Sequence, residues 1–153
     1  MIYVLYGQPG SGKTTLADCL RDHLIKKIVR SAVFSPKLPV IIDGDEFREV
    51  FNNKDYSREG RENNIRSANT IATYISKVES KDVILAMVNP YEKIRKELKS
   101  NNSDVIEIYL KTNRPVKKEY HVEDFEVGNF DFYLTTNDSR EMSWKRLKVL
   151  LDL

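Results

Sequence analysis

Cysteine and histidine are nearly absent from this chain, with one cysteine and two histidines in 153 residues. A lone Cys19 excludes an internal disulfide and fits a reducing, cytoplasmic setting. It lies inside a predicted helix, where a thiol usually serves packing. No zinc-ligand spacing and no internal repeat occurs. No apolar run approaches the length of a membrane span, and no signal peptide is expected ahead of the first strand. Charge of one sign is also lacking: 25 basic against 23 acidic residues leave +2, too little for a broad nucleic-acid footprint. With 41% hydrophobic and 31% charged residues, the composition fits one soluble domain over residues 1–153.

Glycine is scarce too, and its placement is telling. Three of the six glycines fall in Gly7-Gln8-Pro9-Gly10-Ser11-Gly12-Lys13-Thr14. This matches the phosphate-binding loop G-x-x-x-x-G-K-[ST] at every fixed position. Ile2 to Tyr6 reads as a buried strand before it. Thr14 to Val29 reads as a helix after it, with Leu16, Leu20, Leu24 and Ile28 every fourth residue. Strand, glycine turn and helix place backbone N–H groups and a positive helix end around one anion. Gly7, Gly10 and Gly12 let the backbone pass close to phosphate oxygens. Lys13 can reach the β- and γ-phosphates, and the Thr14 hydroxyl can hold Mg²⁺. The residues expected to hold ATP are Gly7, Gly10, Ser11, Gly12, Lys13, Thr14 and Thr15.

Strands and helices continue to alternate. Short strands are predicted at Val40–Ile42, Val83–Val88, Val105–Leu110 and Phe130–Leu134. Helices are predicted from Glu46 to Phe51, from Arg58 to about Glu79, from Pro90 to Lys99 with proline in the first turn, and from Ser139 to Leu151 with Ser139 as N-cap. The second of these carries an inward stripe of Ile65, Ala68, Ala72 and Ile75. Residues 111–129 show no period. The pattern predicts an α/β fold, a parallel five-stranded sheet with helices on both faces. Its ligands are expected beyond the carboxyl ends of the strands.

Asp43 and Asp45 follow a strand at that end. They can be an Asp-Gly turn capping the next helix or a working carboxylate pair. Val83–Val88, the expected neighbour of the loop strand, ends in Asn89, and Asp82 lies at its wrong end. A metal-side carboxylate must then come from Asp43 or Asp45, one orienting Mg²⁺ through water and the other accepting a hydroxyl proton. Asp45 is favoured as base because it lies farther into the cleft. Arg48 follows three residues later. Extending the stripe of the long helix back one turn lands on Arg61, with Asn64 a further three residues on. Singly, these arginines read as partners of Glu46, Glu59 or Glu62. Together around a phosphate loop they suggest recognition of an anionic acceptor. Tyr56 can stack on a base or anchor its loop.

These blocks, in the order GSGKT, Asp43-Gly44-Asp45-Glu46-Phe47-Arg48, Tyr56-Ser57-Arg58 with Arg61, Asn64 and Arg66, and Asn89-Pro90-Tyr91, resemble the adenylylsulfate (APS) kinases over about residues 2–110. The resemblance implies a P-loop kinase fold with Lys13 and Asp45 as catalytic residues. It implies that Thr14 and Asp45 lie beside the metal, with the division between Asp43 and Asp45 open. Asp43, Arg48, Tyr56, Arg61, Asn64 and Asn89 would face the acceptor nucleotide. Tyr56 stands where the family has a phenylalanine, and Asn89 where it has serine. The implied reaction moves the γ-phosphoryl of Mg-ATP to the 3′-hydroxyl of adenylylsulfate, giving PAPS. Most of the family's basic lid has no counterpart in residues 111–129. Arg114, Lys117 and Lys118 are left as cationic contacts, with surface placement favoured for the two lysines. Tyr120, His121 and Phe125 are left as stacking groups. The shortening keeps other acceptors open: another modified nucleotide such as a nucleoside diphosphoramidate, or, less favoured given the charge, a nucleic-acid 5′ end. A non-catalytic ATP-binding module is a further alternative. A homodimer is compatible with the sequence, which does not fix the oligomeric state.

Overall fold

The computed structural model describes residues 1–31, 34–115 and 118–153. The first strand, β1 (Ile2–Tyr6), leads through the glycine turn into α1 (Lys13–Arg30). Then come β2 (Val40–Asp43), α2 (Gly44–Val50), α3 (Arg58–Lys77), β3 (Val83–Met87), α4 (Glu92–Asn101) and β4 (Val105–Lys111). A 3-10 turn at Lys118–Tyr120, β5 (Phe132–Thr135) and α5 (Arg140–Leu150) complete the chain. All strand pairs are parallel, in the order β2-β3-β1-β4-β5. The predicted α/β fold with a five-stranded parallel sheet is what forms, and β3 does lie beside the loop strand.

β1 is buried on both faces because its side chains alternate between two cores. Ile2, Val4 and Tyr6 pack with Ile65, Ala68 and Ala72 of α3 and Ile94 and Leu98 of α4. Tyr3 and Leu5 pack with Leu16, Leu20 and Leu24 of α1 and Leu147 of α5. Leu16, Leu20 and Leu24 of α1 and the 3-4-3 stripe of α3 therefore meet opposite faces of one sheet, while Ile28, expected in the α1 stripe, is half-buried outside both cores. Both helices point their first turns at the carboxyl ends of the strands.

Most boundaries shift by one or two residues from expectation, and three starts differ for a clear local reason. α2 begins at Gly44, not Glu46, because the Asp43 carboxylate accepts the Asp45 N–H at 2.9 Å and opens the helix earlier. α4 begins at Glu92, so Pro90 lies before the helix; its carbonyl accepts the Glu126 N–H at 2.8 Å. β5 begins at Phe132, because the Asp131 carboxylate accepts the Glu107 N–H at 2.7 Å and ends the incoming loop. Ser139 does cap α5, its hydroxyl accepting the Met142 N–H.

Candidate active site

The phosphate loop is a cradle built by backbone geometry. Gly10 and Gly12 hold φ values of 78° and 86°, a region that suits glycine. A Cβ on Gly7 would overlap the Leu110 carbonyl. α1 has no side-chain cap and no acidic residue in its first turn. α2, α3 and α5 each have both. α4 lacks a side-chain cap but starts with Glu92, whose N–H donates to Glu126. Among the described helices, the one after the loop thus leaves its positive end open to an anion.

Lys13 is buried and its Nζ donates to the Gly7 carbonyl at 3.1 Å and the Gln8 carbonyl at 2.9 Å. Burial pushes its pKa down to about 8, opposed by the nearby carboxylates of Asp45 and Asp43. The Thr14 hydroxyl donates to Asp43 Oδ2 at 2.6 Å. Asp43 Oδ1 accepts the Asp45 N–H. One carboxylate thus fills both roles considered for the pair, capping a helix and facing the loop. The structure puts Asp43, rather than Asp45, against Thr14. Asp45 is exposed, and both carboxylates line the same cleft. No cluster of three or more His, Cys, Asp or Glu suited to a metal occurs among the described residues. One hydroxyl beside one carboxylate fits Mg²⁺, which keeps most of its water and phosphate ligands.

That cleft encloses about 850 Å³ and spans the loop and the opposite wall. Arg61, Asn64 and Asn89 line the wall, as do Arg48 and Tyr56. Asn64 is 4% exposed and Asn89 1% exposed. The Asn64 Oδ1 and both amide atoms of Asn89 have no hydrogen-bond partner among the described residues. Asn89 also holds a φ of 45°, a left-handed conformation that asparagine adopts more readily than other residues with a side chain. Buried amides left unmatched cost about 1–3 kcal/mol each. Three such atoms on one wall of the cleft could be matched by a polar ligand.

The arginines have partners the sequence did not suggest. Arg48 donates to the Asn53 carbonyl at 3.2 Å, the Asn53 side-chain oxygen at 3.2 Å and the Asp55 carbonyl at 3.0 Å. Its guanidinium lies 4.5 Å from the Tyr56 ring centre. It therefore shapes the turn that presents Tyr56, which is exposed and lines the cleft. Arg61 lies 3.8 Å from Asp124, while Glu62 is taken by Arg58 and Arg66. Neither arginine has the glutamate partners expected from sequence.

Residues 118–129 cross the carboxyl ends of the strands as a strap. Gln8 holds Val122 through both ends of its amide. Arg95, buried beneath, donates to the Glu126 and Val127 carbonyls at 2.9 and 2.7 Å. Phe125 stacks on Tyr6 at 6.3 Å and packs on Tyr109. It serves the core and is not available as a nucleotide-stacking group. Tyr120 lines the cleft, whereas His121 is exposed and does not. Arg114 lines it too, steadied by the Thr136 and Asp138 carbonyls. Lys117 lies outside the described residues, and so does the side chain of Lys118. Gln8, Val122 and Thr136, whose hydroxyl donates to the Ser11 carbonyl at 2.8 Å, were not foreseen. The -Thr-Thr-Asn-Asp-Ser- turn after β5, at the ligand-binding end of the sheet, was the available signal for the last of these.

A parallel sheet of this order, with a phosphate loop after its central strand and a carboxylate ending the edge strand β2, defines a phosphate-loop kinase fold. The chain belongs to the adenylylsulphate kinase family, whose model matches residues 1–125. It is 27% identical over 119 residues to a probable adenylyl-sulfate kinase of Synechocystis sp., covering 77% of this chain and 62% of that relative. The chain thus spans less than two thirds of that relative's length. The solved structure of the Mycobacterium tuberculosis APS kinase CysC in complex with AMPPNP and APS is similar with a TM-score of 0.78 and 19% identity, covering 99% of this chain and 97% of that one. Shikimate kinase from Bacteroides thetaiotaomicron is also similar, at a TM-score of 0.61 and 15% identity over 100% and 99% of the two chains. The fold alone therefore does not choose the acceptor.

Proposed function

We propose that the protein is an ATP-dependent kinase acting on a nucleotide hydroxyl, with the 3′-hydroxyl of adenylylsulfate as acceptor and PAPS as product. The observation that carries this is the two-walled cleft, with an open phosphate cradle on one side and unpartnered buried amides beside an arginine on the other. Family membership supports adenylylsulfate in particular.

The loop backbone and Lys13 hold the ATP polyphosphate. Thr14 and Asp43 lie where Mg²⁺ would sit, and the ion would neutralise charge on the β- and γ-phosphates. Their direct hydrogen bond supports giving Asp43 the metal side, which leaves Asp45 as the base. Arg61, Asn64 and Asn89 orient the acceptor, with Tyr56 against its base and Arg48 steadying Tyr56. Asp45 takes the hydroxyl proton as the oxygen–phosphorus bond forms and the bond to the ADP oxygen breaks. Positioning and charge neutralisation supply most of the rate.

A coupled ADP-release assay with Mg-ATP tests this, comparing adenylylsulfate with other nucleotides and short oligonucleotides. Release driven by adenylylsulfate, with PAPS identified by mass, is the expected result. Release driven only by another nucleotide would keep the kinase and replace its acceptor. Folded protein that binds ATP but responds to no acceptor would overturn the reading in favour of a binding module.

A further inference from the structure

Gln8 occupies an unspecified position of the phosphate loop, yet both ends of its side chain are engaged. Its Nε2 donates to the Val122 carbonyl at 2.8 Å, and its Oε1 accepts the Val122 N–H at 3.0 Å. A side-chain amide paired with a peptide group in both senses fixes orientation as well as distance. The main-chain carbonyl of the same residue accepts Lys13 Nζ at 2.9 Å. Two residues beyond Val122, Asp124 faces Arg61 at 3.8 Å and Arg58 at 3.4 Å. A short physical chain therefore joins the two sides of the cleft: Lys13 to the Gln8 carbonyl, Gln8 to Val122, and Asp124 to Arg61. Val122 is only 4% exposed and lines the cleft, so it cannot shift without changing the cavity wall.

On the reading proposed above, Lys13 leaves the Gln8 carbonyl when it turns to the phosphates of ATP, and an anionic acceptor takes Arg61 from Asp124. We propose that Gln8 is a positioning residue whose side chain ties the strap to the phosphate loop, so that a nucleoside triphosphate in the loop resets how Val122 and Asp124 sit against the acceptor wall. This rests on that reading of the loop. Its own content is that the coupling runs through one side chain. Leucine at position 8 keeps similar bulk but can neither donate to nor accept from Val122.

Hydrogen exchange of the strap, followed by mass spectrometry with and without Mg-AMPPNP, tests the link. In the native chain, AMPPNP is expected to change strap exchange about fivefold or more. In Gln8→Leu the strap should exchange faster without nucleotide and no longer respond to AMPPNP, although the variant still binds it. Where Gln8→Leu does not fold, Gln8→Glu serves instead, since it keeps an acceptor for the Val122 N–H but loses the donor; its strap response should be weakened. A strap that ignores AMPPNP in the native chain, or that responds undiminished in the folded variant, would overturn the proposal alone. Failure of the native chain to bind AMPPNP would overturn it together with the reading of the loop.

Discussion

Asp43 ends an apolar strand with a carboxylate that caps α2 through one oxygen and accepts the Thr14 hydroxyl through the other. Asparagine caps a helix about as well as aspartate, so Asp43→Asn should leave the Tm nearly unchanged. It removes the charge beside Thr14, so the Mg²⁺ concentration needed for half-maximal turnover should rise about tenfold or more. Asp45→Asn should instead keep that Mg²⁺ requirement and ATP binding while lowering kcat by about 10²-fold or more. Magnesium titrations of both variants check the assignment, and exchanged outcomes would exchange the two roles. Lys13 offers a second handle. Burial lowers its pKa to about 8, so the free protein is partly deprotonated there. Polyphosphate beside the amine favours the charged form and should draw in a proton. Calorimetry in buffers of different ionisation heat should therefore show proton uptake on nucleotide binding near that pH, and far less a unit and a half lower. The motif made Lys13 and Thr14 legible. Asn89 was legible by its place at the carboxyl end of the central strand, and its facing the acceptor only through resemblance; that both its amide atoms lack a partner among the described residues was not legible.

The entry to α3 shows how a turn positions the acceptor wall. Ser57 caps the helix, its hydroxyl accepting the Gly60 N–H at 3.1 Å. Asp55 packs so tightly on Gly60 that a Cβ there would collide with its carbonyl and carboxylate. Gly60→Ala should therefore destabilise the fold by about 1–3 kcal/mol, read as a fall in Tm. It should also raise the acceptor KM more than the ATP KM, since the displaced turn carries Tyr56 and the partners of Arg48. The helices with a clean period, α1 and α3, were readable because each pairs one apolar stripe with one face of the sheet. The strap was not readable, because long-range bonds hold it. Its partners Gln8 and Tyr6 are more than a hundred residues away in sequence, and no local pattern encodes such contacts. The same gap hid the true role of Phe125, which fills the space beside Tyr6 and Tyr109.

At the scale of the whole molecule, a buried glutamate works against stability at neutral pH. Glu107 sits within β4, 3% exposed, with Oε1 unpartnered among the described residues. Burial raises its pKa, and Lys99 and Arg95 only partly offset this. Its folded pKa exceeds the unfolded one, so its favourable contribution is full below the ordinary glutamate range and is lost as pH rises through the folded value. Glu107→Gln should therefore raise the Tm by roughly 2–4 °C at pH 7, with little gain near pH 4; melting curves at the two pH values check this. Parallel order, two-faced packing and the place of the cleft all followed from alternating strands and helices. What the chain acts on depends instead on a few side chains at the carboxyl ends of those strands. The most direct test follows the transferred atom. Protein given Mg-ATP carrying ¹⁸O on the γ-phosphoryl, together with adenylylsulfate, should yield ADP and a labelled product whose fragmentation places the phosphoryl on the 3′-oxygen, with Asp45→Asn nearly inactive. Label found only in inorganic phosphate, at the same rate with and without adenylylsulfate, would contradict the account.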